Sequence, residues 1–162
     1  MAGTAYVGVG ANLGNPLESV RAAIAAMKSL PLTRLLASSS LYRSAPVEAS
    51  GDDFINAVVR LDTALTAPTL LRHLQQIELD FGRERPFRNA PRTLDLDLLI
   101  YDQQQTNTPS LELPHPRMID RAFVLLPLLE ISPNVHIPGK GAAQDYLNSV
   151  VGQSIERLNL PV

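Results

Sequence analysis

Apolar and small residues alternate over residues 4–10, with β-branched Val7 and Val9, and this pattern predicts a buried strand. The period then changes to a helical one. Leu17, Val20, Ile24 and Met27 recur as one apolar stripe, with Asn15 suited to the N-cap and Pro16 to the first helical position. Glu18 falls third, where its carboxylate can reach back to the cap, and Pro31 ends the helix. Residues 33–43 read as a serine-rich strand, and 44–53, with Ala45-Pro46 and Gly51, as a loop. Residues 54–64 form a strong strand that sends Ile55, Ala57, Val59 and Leu61 to one side and Phe54, Asn56, Val58 and Arg60 to the other. Thr66 and Pro68 open a second helix striped by Leu70, Leu74, Ile77 and Phe81, with Gly82 suited to its C-terminal cap. Beyond it lie a loop at 83–94, a strand at 95–101, a helix from 117 reaching Pro127 or slightly further, a helix at 142–151 and a possible strand at 155–160.

The order β-α-β-β-α-β with later additions predicts an α/β (α+β sandwich) fold. Its ferredoxin-like core would be a mostly antiparallel sheet, with additional C-terminal helices. That fold hosts many functions and selects none. The 162 residues suit one domain spanning 1–162. With no cysteine, disulfide scaffolds, thiolate nucleophiles and thiolate-held metals are excluded. No basic n-region precedes an apolar stretch at the start, and no run approaches membrane-spanning length, so a cytoplasmic protein is expected. The net charge of −2 argues against a nucleic-acid coat.

The bases are nevertheless uneven, because only Lys28 and Lys140 are lysines and Arg83, Arg85, Arg88 and Arg92 crowd one predicted loop. Next to it stands Pro91-Arg92-Thr93-Leu94-Asp95-Leu96-Asp97-Leu98. On a strand, Asp95 and Asp97 face one way while the leucines face the other. Two adjacent carboxylates repel unless a divalent cation joins them, and Mg²⁺ carrying phosphate suits such open oxygen ligands. Arginine forks would take the remaining phosphate oxygens. A solvated acidic strand edge beside a basic loop is the alternative. Gly8-Val9-Gly10 lacks the spacing of a dinucleotide or P-loop motif and reads as turn and packing glycine. His115, pinned between Pro114 and Pro116, is a candidate phosphate or nucleotide ligand, with Arg117 and Arg121 nearby. Four arginines without an anion should repel one another, so residues 83–92 are expected to act as a lid that orders when a bound, metal-carried phosphate supplies the missing charge. A ferredoxin-like RNA or nucleotide binder and a Mg²⁺-dependent nucleotide hydrolase are the rival classes.

In order along the chain, several pieces resemble the 6-hydroxymethyl-7,8-dihydropterin pyrophosphokinase family. They are Gly8–Gly14, Tyr42-Arg43-Ser44-Ala45-Pro46, Phe54-Ile55-Asn56-Ala57, Gln75-Gln76-Ile77-Glu78, Gly82-Arg83-Glu84-Arg85, the PRTLDLDL segment, Pro114-His115-Pro116-Arg117-Met118 and Arg121-Ala122-Phe123. The resemblance implies transfer of pyrophosphate from ATP to the pterin hydroxymethyl group in folate biosynthesis, by a monomer with no nucleic-acid or membrane partner. It also implies two Mg²⁺ ions on Asp95 and Asp97, with Arg83 and Arg92 taking the charge on the moving phosphates. Gln75, Glu78, Arg85, His115 and Arg121 would line the ATP side. Ser44, Val47 and Asn56 would read the pterin edge, with its ring between Phe54 and Phe123. Phe54, Pro86, Asn89, Ser110 and Pro116 depart from residues common in relatives.

Overall fold

The computed structural model describes residues 3–46, 52–82 and 94–159. Its elements are β1 (Gly3–Ala11), α1 (Pro16–Lys28), β2 (Thr33–Ser38), β3 (Tyr42–Ser44), β4 (Phe54–Thr63), α2 (Ala67–Gly82), β5 (Asp95–Tyr101), β6 (Thr106–Asn107), β7 (Glu112–Leu113), α3 (Ala122–Ile131), β8 (His136–Ile137), β9 (Gly141–Ala142) and β10 (Ile155–Arg157). Two 3₁₀ segments, Met118–Asp120 and Ala143–Val150, flank α3 and β10.

Among the described residues, the main sheet runs β10-β3-β4-β1-β5, with β2 also on β4, and every neighbouring pair is antiparallel. Alternation in β1, β4 and β5 divides the molecule into two layers. Val7 and Val9, Ile55, Val59 and Leu61, and Leu96 and Leu98 pack against Val20, Ile24 and Met27 of α1 and Leu70, Leu74 and Ile77 of α2. Each such side chain, fully buried, contributes roughly 1.5–3 kcal/mol, so this layer fixes where α1 and α2 lie. On the opposite face, Tyr6, Val58, Leu99 and Ile100 pack against Val124, Leu125 and Leu128 of α3. The register of β1 with β5 slips between Tyr6 and Val7, which leaves Leu99 as an extra residue. That bulge is why Leu99 and Ile100 both face α3.

The N-cap signals at Asn15 and Thr66 hold, whereas the Glu18 carboxylate does not reach back to its cap. Asn15 Oδ1 accepts from the Glu18 backbone N–H at 3.4 Å, and the Glu18 carboxylate turns to Arg21 at 3.8 Å. Thr66 Oγ1 accepts from the Thr69 N–H at 3.3 Å. Other expectations need correction. Residues 33–43 make two strands, because buried Ser39 interrupts them. Its hydroxyl accepts from the Val58 N–H at 2.9 Å, in place of a backbone carbonyl. Ser44 is not in a loop but ends β3 and is buried. The helix expected from 117 is broken at Arg121, which is extended at φ −123° and ψ 112°, and α3 continues through Pro127 to Ile131. The segment expected as a helix at 142–151 is 3₁₀.

Candidate active site

Cross-strand pairing builds the floor of a cleft. On the α3 side of the sheet, Gly10 lies between Asp95 and Asn56, and Gly8 lies between Asp97 and Val58. Strands sit about 4.8 Å apart, so Asp95 and Asn56 stand about 10 Å from each other with a bare backbone between them. A Cβ on Gly10 would come within 3.2 Å of Asn56 Oδ1. Glycine therefore keeps the floor open where a ligand can approach. Above it is a cleft of about 860 Å³, bordered by Phe54, Asn56, Asp95, Asp97, His115, Arg121 and Phe123.

One end of the cleft is charged. Asp95 is exposed and the Asp97 side chain is 40% exposed. Asp97 lies 3.9 Å from His115 Nε2 through one oxygen and 3.9 Å from an Arg121 guanidinium nitrogen through the other. The His115 backbone N–H donates to the carbonyl of Leu99, the bulged residue, at 2.8 Å. His115 Nδ1 accepts from the Arg117 N–H at 3.2 Å, so a neutral ring carries its proton on Nε2, toward Asp97. Burial holds the imidazole below its ordinary pKa and outweighs the opposing pull of Asp97, with Arg121 and Arg117 acting in the same direction as burial. The Arg121 guanidinium lies 5.4 Å from the Phe123 ring centroid. Behind this end, Glu78 Oε2 accepts from the Leu96 N–H at 2.8 Å, on the backbone between the two aspartates. Among the described residues no group of three acidic, histidine or cysteine side chains surrounds a cation position. Two carboxylates open to a cleft still fit Mg²⁺, which fills its remaining positions with water and phosphate oxygens.

The other end is polar and aromatic. Asn56 is 3% exposed, and its Nδ2 donates to the Ser44 hydroxyl at 2.7 Å. That bond leaves Asn56 Oδ1 on the Gly10 side, over the cleft floor. Phe54 and Phe123 border the same space. Ser44 lines a smaller cavity of about 230 Å³, which shares Ala45, Pro46 and Phe123 with the main cleft.

Seven of the residues singled out from the sequence therefore meet around one cleft, and Ser44 joins them through Asn56. Gln75 and Glu78 on α2 do not border it, Gln75 being exposed and Glu78 held on Leu96. Val47, Arg83, Arg85 and Arg92 lie outside the described residues, as do Arg88, Pro86, Asn89 and the expected lid at 83–92. The floor glycines, Asn12 and Asp120 also border the cleft and were not singled out as site residues. A Gly-x-Gly inside a strand was the available signal for the floor.

The family described as 7,8-dihydro-6-hydroxymethylpterin-pyrophosphokinase (HPPK) matches residues 6–133. A Pseudomonas aeruginosa protein named 2-amino-4-hydroxy-6-hydroxymethyldihydropteridine pyrophosphokinase is 44% identical over 154 residues, covering 94% of this chain and 95% of that one. A Haemophilus influenzae protein of the same name is 36% identical, covering 96% of this chain and 98% of its own. Among solved structures, the wild-type HPPK-DHPS of Plasmodium falciparum superposes with a TM-score of 0.69 over 93% of this chain at 13% identity, a likeness of fold. This chain spans 44% of that solved chain. Likeness to the two bacterial proteins extends along nearly the whole length of both partners, and by it this chain belongs to the 7,8-dihydro-6-hydroxymethylpterin-pyrophosphokinase family.

Proposed function

We infer that this chain transfers the pyrophosphoryl group of ATP to the hydroxymethyl oxygen of 6-hydroxymethyl-7,8-dihydropterin, a step of folate biosynthesis. The hydroxymethyl oxygen bonds to the β-phosphorus, and the bond from that phosphorus to the α-β bridging oxygen breaks. AMP leaves, the pterin diphosphate forms, and the hydroxyl proton is released. The observation that carries this reading is the division of one cleft into a carboxylate end and a buried amide–aromatic end, about two strand spacings apart over Gly10.

Phosphoryl-type transfer asks a protein mainly for positioning and charge neutralisation. Asp95 and Asp97 would hold two Mg²⁺ ions, which supply positive charge to the triphosphate. Arg121 and the Nε2–H of neutral His115 face the same space and would donate to phosphate oxygens. Arg83, Arg85 and Arg92 would add cations by the family resemblance. Glu78 would act through the Leu96 backbone, keeping the segment between the aspartates in place, with Gln75 on the same helix toward the nucleotide. At the other end Asn56 Oδ1, oriented by Ser44, would accept a pterin N–H, helped by the backbone at Val47. Phe54 and Phe123 would hold the ring, a contact of roughly 0.5–1.5 kcal/mol per aromatic pair beyond area burial.

The reading extends to a single domain over residues 1–162 with a ferredoxin-like core, which the β5-β1-β4-β3 order and two helices on one face support. It also extends to a cytoplasmic monomer acting without nucleic acid or membrane. The test is incubation with ATP and Mg²⁺, with and without 6-hydroxymethyl-7,8-dihydropterin. AMP formed only with the pterin is expected. ADP or AMP formed equally without it would make water the acceptor and overturn the transferase reading.

A further inference from the structure

The break at Arg121 needs a support that α3 does not supply. As the N-cap residue, Arg121 makes no side-chain cap, so the Ala122 N–H has neither an intrahelical acceptor nor a capping oxygen from its own turn. Gln153, far along the chain, fills that place. Its Oε1 accepts from the Ala122 N–H at 2.9 Å, and its Nε2 donates to the Asp120 carbonyl at 2.7 Å. One amide thus grips the backbone on both sides of Arg121, much as a neighbouring strand would grip an extended residue. The next residue ties the same segment to the opposite side, because the Ser154 carbonyl accepts from the Ala45 N–H at 3.2 Å and Ile155 pairs with Ser44. Residues 153–155 therefore line the smaller cavity beside the cleft, joining its Ala122–Phe123 side to its Ser44–Ala45 side.

We propose that Gln153 is a positioning residue, which holds Arg121 extended so that Phe123 and the Arg121 guanidinium face the cleft at a fixed distance from Ser44 and Asn56. A helix continuous through residues 118–131 would instead place Arg121 one helical step, roughly 100°, from Ala122, turning its side chain from its present direction and changing how the chain enters α3 ahead of Phe123. Gln153 lies beyond residues 6–133, the part of the chain matched by the family. The proposal rests on the pterin reading for its functional consequence, and on hydrogen bonds alone for the grip itself.

The test uses the full chain with Gln153→Ala, Phe123→Ala, the double variant, and Gln144→Ala as a control on an exposed position of the same C-terminal region. Amide exchange at Ala122, read by NMR, requires no ligand and is expected to accelerate in Gln153→Ala and not in Gln144→Ala. Calorimetry with 6-hydroxymethylpterin is expected to show affinity falling on the order of tenfold in Gln153→Ala, the equivalent of about one net hydrogen bond. In the Phe123→Ala background the same change is expected to cost less than about twofold, because the group being positioned is gone. Unchanged exchange at Ala122 overturns the grip. An equal affinity loss in both backgrounds, or none in either, overturns positioning through Phe123. If the unsubstituted protein binds no pterin, the functional reading falls, while exchange at Ala122 still decides the grip. Should Gln153→Ala fail to fold, Gln153→Glu keeps the acceptor for Ala122 and loses the donor to Asp120, and its pterin affinity is read against the same two outcomes.

Discussion

Asp97 stands 3.9 Å from both His115 and Arg121, so its carboxylate is the point where the imidazole Nε2–H and the guanidinium of the charged end converge. Removing it takes the carboxylate away from both groups and leaves Asp95 without its neighbour. In Asp97→Ala, turnover is expected to fall by at least about a hundredfold, comparable to the loss of one preorganised electrostatic group. The circular dichroism spectrum and melting temperature should stay close to those of the parent, because the side chain is 40% exposed and no core group is lost. Full activity in folded Asp97→Ala at saturating Mg²⁺ would remove the carboxylate pair from the chemistry. Gly10 offers a second test at this scale. A methyl there would meet Asn56 Oδ1 at 3.2 Å, so Gly10→Ala should push the amide off its place and weaken pterin binding several-fold. Binding of a non-hydrolysable ATP analogue should change much less. Titration calorimetry with each ligand separates the two effects, and equal losses would contradict the assignment of Asn56 to the pterin end.

Among the elements, α3 is tied to the β2–β3 region by Glu130, near its last turn. Its two oxygens accept from the Ser40 N–H at 3.0 Å, from the Ser40 hydroxyl at 2.8 Å and from the Tyr42 hydroxyl at 2.7 Å, and Arg157 approaches to 3.3 Å. Burial alone would push the Glu130 carboxyl up, but the hydrogen bonds from Tyr42 and Ser40 together with Arg157 outweigh it and hold it below its usual value. The same contact, with burial as the larger cause, pushes the Tyr42 hydroxyl well above its ordinary value. A carboxyl with a lower pKa in the folded state contributes stability that is fully present above the unfolded value, about 4.3, and is lost as pH falls through the folded one. Urea titrations from pH 6 downward should therefore show a steeper acid limb in the parent than in Glu130→Gln. Glu130→Ala should cost about 1–3 kcal/mol at neutral pH, the penalty for leaving buried donors unpaired. An acid limb unchanged by Glu130→Gln would remove this residue from the pH dependence.

For the whole molecule, two apolar layers cover the two faces of the sheet, and the cleft opens at one end of the α3 face. Stability and cation binding should then be separable. Chelation with EDTA is expected to abolish AMP formation while the thermal melting midpoint stays within about 2 °C, since structural metals stabilise a fold and substrate-carried Mg²⁺ does not. A large drop in melting temperature on chelation would assign the cation a structural part. The strands β1, β4 and β5 and the helices α1 and α2 are legible along the chain, because alternation, apolar stripes and caps are local properties. The Asp95–Asp97 pair is equally legible, since residues two apart on one strand share a face. That Gly8 and Gly10 floor the cleft follows from strand pairing across the sheet, because their neighbours come from β4 and β5. The split at Ser39, the extended Arg121 and the grip of Gln153 were likewise undetermined by local pattern. Each rests on a hydrogen bond to a distant partner, across 19 residues for Ser39 and Val58 and 31 for Ala122 and Gln153, and no period in the sequence records such a bond.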